Sequence, residues 1–231
     1  MRRYAGAILA AALTAAGSIA ISATADAGIA ARQVPVRSFV QQLQYNFDGI
    51  GSQKGWYHHW AETFKAQIAP RLAWYDSFTS VTVPAPGGPV ESSRSIEDMV
   101  DGRLYDKTDG YRWTVHALSP AQIKSDTAIA SPYWKIGTLY AIPGIALVGP
   151  RHYHVTCSLT QIKNFWVSYI GFGYSQLAGG HDVKTVTLDF WFDSAGRPAT
   201  IIVTGQGSLY RMSYRITYRQ YNGPVVVHRP V

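Results

Sequence analysis

Two runs of strict alternation constrain the chain most. From Val186 to Asp193, Val186, Leu188, Phe190 and Phe192 fall on one side and Thr187, Asp189, Trp191 and Asp193 on the other. Period-two patterning of this kind makes a half-buried strand. The second run sets Tyr210, Met212, Tyr214, Ile216 and Tyr218 against Arg211, Ser213, Arg215, Thr217 and Arg219. Between them, Asp193-Ser194-Ala195-Gly196-Arg197-Pro198 is turn chemistry, and the β-branched run Thr200–Thr204 predicts a partner strand. Val225–His228, after Asn222-Gly223-Pro224, reads as a last strand. The expectation is a four-stranded antiparallel meander with one dry face and one wet face.

The dry face, made by Phe190, Phe192, Tyr210, Met212, Tyr214, Ile216 and Tyr218, admits two readings. It is ordinary core, or it lines a cavity for an acyl chain, where burial of each methylene contributes about 0.8 kcal/mol. Arg211, Arg215 and Arg219 stand about 13 Å apart at strand rise. They form either a solvated basic stripe or a docking surface for anionic lipid head groups.

The N-terminus carries Arg2 and Arg3, an apolar stretch from Ala5 to Ile21, and small residues offering cleavage after Ala25 or Ala27. It reads as a secretory signal peptide over residues 1–27, followed by a linker over 28–35 and one domain over 36–231. Losing Arg2, Arg3 and Asp26 from 21 basic and 14 acidic residues leaves 19 and 13, a net +6. A basic exported protein favours anionic surroundings, and so diffuse a charge argues against nucleic acid. Cys157 is the single cysteine, which excludes an intramolecular disulfide and a four-cysteine metal site. Its place in the alternation Tyr153, Val155, Cys157, Leu159 predicts a buried, inert thiol.

Along the chain, Val36, Phe39, Val40, Leu43 and Phe47 are spaced as in an amphipathic helix stopped by Asp48-Gly49. Trp56, Trp60, Phe64 and Ile68 fit one helix face or alternate inward positions of a long strand, and Ala61, Glu62, Lys65 and Ala66 lean towards helix. Residues 72–83 read as strand, ended by the turn Pro84–Pro89. Ile96, Met99, Val100 and Leu104 would line a helix interrupted at Gly102. Leu104-Tyr105 and Tyr111–Val115 make a hairpin about Thr108-Asp109-Gly110. Pro120–Ala130 is weakly patterned, with a possible strand at 123–128. Trp134, Ile136, Leu139, Ile142 and Ile145 suit a short helix or lid ending at Pro143-Gly144, and Arg151–Leu159 a strand.

Three pieces, in order, resemble the LolA-like envelope proteins of the LppX and LprG type. These are Val100-Asp101-Gly102-Arg103-Leu104-Tyr105 closing at Trp113; Gly149-Pro150-Arg151-His152-Tyr153-His154-Val155-Thr156; and Asp189–Pro198 followed by Tyr218-Arg219-Gln220-Tyr221-Asn222-Gly223-Pro224-Val225. The resemblance covers roughly residues 95–231 and rests on motif order. It implies an α+β fold, a strongly curved antiparallel half-barrel wrapped around helices, with an apolar cavity for acyl chains. Those lipoproteins carry a cysteine at the end of the signal peptide, and its absence here implies a soluble, unanchored chain. A rival resemblance is to the NTF2-like cone fold of SnoaL-type proteins, carried by His116-Ala117-Leu118 and Ile123-Lys124-Ser125-Asp126-Thr127-Ala128. It would make His116 with Asp76 or Asp126 an acid/base pair of a dehydratase or isomerase.

His152 and His154 share one side of a strand, but no carboxylate or third histidine follows at a diagnostic spacing, so no metal site or cofactor is expected. No nucleophile elbow, phosphate loop or zinc-protease signature is present. The sequence therefore favours an exported, non-catalytic protein of the bacterial envelope with a lipid or other amphiphile as partner. The SnoaL-type enzyme and a wall-polymer module using exposed Trp and Tyr are the alternatives. Oligomeric state is left open.

Overall fold

A computed structural model of the protein describes residues 34–133, 136–169 and 182–230. The expected signal peptide, most of the linker, Trp134 and the stretch 170–181 lie outside them. The described strands are β1 (Ser38–Gly49), β2 (Tyr57–Gln67), β3 (Ala73–Val83), β4 (Glu91–Val100), β5 (Arg103–Thr108), β6 (Thr114–Ala117), β7 (Ala146–Gly149), β8 (His152–Ser158), β9 (Thr185–Phe192), β10 (Pro198–Gln206) and β11 (Tyr210–Arg219). They form one open antiparallel sheet of order β6-β5-β4-β3-β2-β1-β11-β10-β9-β8-β7. Two meanders thus meet where the first strand pairs with the last, from Val40 opposite Arg219 to Gly49 opposite Tyr210. Helices α1 (Pro120–Ile129) and α2 (Gly137–Tyr140) fall between β6 and β7, and α3 (Leu159–Tyr169) between β8 and β9.

The core lies on one face. Phe190, Leu188, Ile201, Val203, Tyr214 and Ile216 are fully buried there, together with Leu139, Ile162 and Phe165 of the helical layer. Phe165 meets Phe190 edge-on at 6.1 Å between ring centroids. Across β10 the layer leaves no room at Gly205, where a Cβ would stand 2.8 Å from Val183 Cγ1 and 2.9 Å from Val186 Cγ1. Gly205→Ala is therefore expected to cost about 1–2 kcal/mol by overpacking, read as a lower denaturation midpoint at unchanged m.

Several sequence expectations are corrected. Residues 38–49 are strand, not helix: Phe39, Leu43, Tyr45 and Phe47 alternate onto the core face, and Val40 is buried on the opposite one. That second buried face reproduces helical spacing. Residues 57–67 are also strand, which removes the second of the opening helices that the cone fold requires. Ile96, Met99 and Val100 belong to strand β4, and Asp101-Gly102, both at positive φ, make the tight turn into β5. The expected strand at 123–128 is helix α1, started by a capping box between Ser119 and Gln122 with Pro120 in the first turn. Val225–His228 forms no strand, because β11 already has β10 on one edge and β1 on the other. That segment instead leaves from beside β1, where Ser38 Oγ donates to the Gly223 carbonyl, and reaches β5, where Arg229 lies over the Tyr105 ring.

Candidate functional site: the core face of the sheet

The expected dry face is dry. Phe190, Tyr214 and Ile216 are fully buried, Met212, Phe192 and Tyr218 nearly so, and Tyr210 partly. Their aromatic layer continues onto the first strands through Tyr45, 4.0 Å from Trp60, and Phe39, 5.9 Å from Phe64. Away from the helical layer the same face opens. Phe64, Trp74 and Phe78 pack against the core yet stay partly exposed.

Directly beside these rings the face turns acidic. One row of opposed residues runs Tyr218, Gln41, Phe64, Asp76, Glu97, Asp106, Thr114 across seven strands. The next runs Ile216, Leu43, Glu62, Phe78, Ser95, Thr108. Glu62, Asp76, Glu97 and Asp106 therefore gather on one patch, with like charges opposed across strands. Burial pushes the Asp76 carboxyl well up, and Glu62 and Glu97 add to it. Burial and then Glu97 push Glu62 up, while burial and Asp106 raise Glu97. Asp76 Oδ1 is buried without a hydrogen-bond partner among the described residues. Each of these shifts favours the protonated carboxyl, an O–H donor, over the carboxylate.

His116 stands at the edge of this patch, but its partner is Asp106, with Nε2 3.4 Å from Oδ2, and its side chain is 63% exposed. Thr114 Oγ1 donates to the same carboxylate. Asp76 is two strands further in, and Asp126 sits on helix α1. Among the described residues His116 is thus paired with Asp106 rather than with Asp76 or Asp126.

The opposite face carries the basic stripe. Arg211, Arg215 and Arg219 are exposed there, and Arg211 Nε lies 3.4 Å from Asp48 Oδ2. They face away from the aromatic patch, as a solvated stripe or a surface-docking stripe would. Cys157 is buried, and burial raises its thiol pKa, as an inert core cysteine requires. On the same outer face His152 and His154 meet Asp189 of β9.

Sequence reasoning missed Glu62, Glu97 and Asp106 because they lie on three strands separated in sequence. Only strand pairing collects them. The available signal was the inward register of Trp60, Phe64 and Trp74, which puts Glu62 and Asp76 on the core face once residues 57–67 are read as strand.

No protein-family model matches the chain, and no curated protein sequence is similar to it. Among solved structures it is similar to LprF from Mycobacterium bovis, at 12% identity over 83% of this chain and 90% of that one, with a TM-score of 0.39. It is likewise similar to the lipoprotein LppX of Mycobacterium tuberculosis, at 12% identity over 84% and 90% of the two chains, with a TM-score of 0.34.

Proposed function

We propose that the protein is an exported, non-catalytic binder of a lipid or other amphiphile in the bacterial envelope. The observation that carries this reading is the partly exposed aromatic patch of Phe64, Trp74 and Phe78, continuous with the buried aromatic core and bordered by the carboxyls of Glu62, Asp76 and Glu97. An apolar tail laid on these rings leaves water without leaving a polar group unpaired. Tyr218 lies in the row of Phe64, and Phe190, Phe192, Tyr210, Met212, Tyr214 and Ile216 belong to the core with which the patch is continuous. Glu62, Asp76 and Glu97 suit a head group rich in hydroxyls or carrying a cation. The domain over 36–231 acts as one unit in this reading. The outward Arg211, Arg215 and Arg219 are placed to rest the loaded protein on an anionic surface.

Native mass spectrometry of the full chain purified from a bacterial host, with organic extraction, tests the reading. A stoichiometric acyl lipid is expected. Phe78→Glu should reduce its retention at least about tenfold, because a charge would be buried against the tail, while a half-exposed site leaves the fold intact. Equal retention in this variant, or a clean apo mass after incubation with lipid extract, would overturn the proposal.

A further inference from the structure

The outer face of β8 and β9 holds a second constellation that the amphiphile reading does not use. His152 and His154 project from one side of β8, and register places Asp189 of β9 directly opposite His154. Asp189 Oδ1 lies 2.7 Å from His152 Nε2 and 2.8 Å from His154 Nδ1. All three ligand atoms fall within 4.8 Å of one another. Their side chains are 26%, 40% and 24% exposed, so the group is held by the sheet but open to solvent.

We propose that His152, His154 and Asp189 form a binding site for a divalent transition-metal ion of the zinc type. A carboxylate oxygen within hydrogen-bond reach of two imidazole nitrogens marks a point where three ligand atoms converge, and one dication can take all three. Each neutral imidazole then carries its proton on the far nitrogen, which water can reach, and presents a lone pair to the ion. A tetrahedral zinc ion sets its ligand atoms about 3.3 Å apart, so side-chain tips need to move by about 1 Å or less. Two imidazoles and one carboxylate select zinc, cobalt, nickel or copper over magnesium and calcium, which take oxygen ligands.

Neighbouring residues favour occupancy. Trp191 stacks on His152 at 4.3 Å and 14°, fixing the ring plane as an outer-shell contact should. On the edge strand β7, the residues opposite His154 and His152 are Ala146 and Gly149, too small to cover the site. Three protein ligands leave at least one position for water or an incoming ligand, the pattern of an exchangeable rather than a closed structural site.

The test is titration of Zn2+ into the untagged, chelator-stripped full chain, followed by calorimetry and by thermal unfolding. One Zn2+ per chain is expected, with a saturable rise in melting temperature that equal Mg2+ does not produce. Asp189→Asn, which preserves shape, and His154→Ala should each weaken binding at least about tenfold. His116→Ala and His59→Ala, which remove the other described histidine–carboxylate pairs, should leave it unchanged. Absence of saturable Zn2+ binding in the wild-type chain, or full binding in Asp189→Asn, overturns the proposal. Should the variants fail to fold, Co2+ absorption of the wild-type protein decides: a spectrum of a nitrogen- and oxygen-ligated ion supports the site, and that of hydrated Co2+ refutes it.

Discussion

Phe190→Ala is expected to destabilise the protein by about 3–5 kcal/mol, the range for a large aromatic removed from a sealed core. Phe190 is fully buried, lies 4.7 Å from Phe192 and 6.1 Å from Phe165, and sits between Tyr153 and Ile201 in the sheet. Alanine leaves a void that three strands and helix α3 cannot all close, because each is held by its own hydrogen bonds. Urea or guanidinium unfolding of the two proteins reads the effect as a lowered midpoint with an unchanged slope. Phe78→Ala on the same face should cost less than half as much, since that ring is already partly in water. Equal losses at the two positions would mean that the helical layer does not seal the sheet as described.

The acidic patch makes stability depend on pH, with a sign opposite to that of salt-bridged carboxylates. Asp76, Glu62 and Glu97 all have folded-state pKa values raised above their unfolded ones, chiefly by burial. The folded protein therefore binds protons more tightly than the unfolded chain, and stability falls as pH rises from the ordinary carboxylate range through the raised values. Below the unfolded pKa both states are protonated and the penalty vanishes. Between about pH 5 and about pH 9 the loss should be on the order of 3 kcal/mol. Asp76→Asn, which keeps size and removes the charge, should recover about 1–3 kcal/mol at the alkaline end and less at pH 5, which is closer to the unfolded pKa. Denaturation at the two pH values checks both statements. A wild-type protein equally stable at both, or an Asp76→Asn effect independent of pH, would show that these carboxyls are ionised and hydrated in the folded state.

Legibility varied along the chain for physical reasons. Strands β8 to β11 were readable because one of their faces is buried and the other wet, so burial and alternation coincide. In β1 the coincidence fails: Gln41 occupies a core-face position while Val40 is buried on the outer face, and the apolar residues fall at helical intervals. In β4 the outer face holds Ile96 and a buried Asp98, whose carboxyl burial pushes up to about 6, which again blurs the period. Around Asp101-Gly102 the spacing of Ile96, Met99, Val100 and Leu104 imitates a helix and hides the turn, whereas the helix that starts at Ser119-Pro120 with Gln122 carries no clear apolar period. Alternation alone puts Arg211, Arg215 and Arg219 on the face away from the apolar side.

What the sequence determined by itself was local: period-two strands, turns at Asp-Gly and Asn-Gly, a buried thiol, and an aromatic face from Phe190 to Tyr218. Only the tertiary structure decided which residues from distant strands stand opposite one another. Pairing of β1 with β11 joined the two meanders, pairing of β3, β4 and β5 collected Asp76, Glu97 and Asp106, and pairing of β8 with β9 brought Asp189 between two histidines. Strand register is set by burial summed over a whole sheet and by backbone hydrogen bonds between segments far apart in sequence. No single strand contains that information.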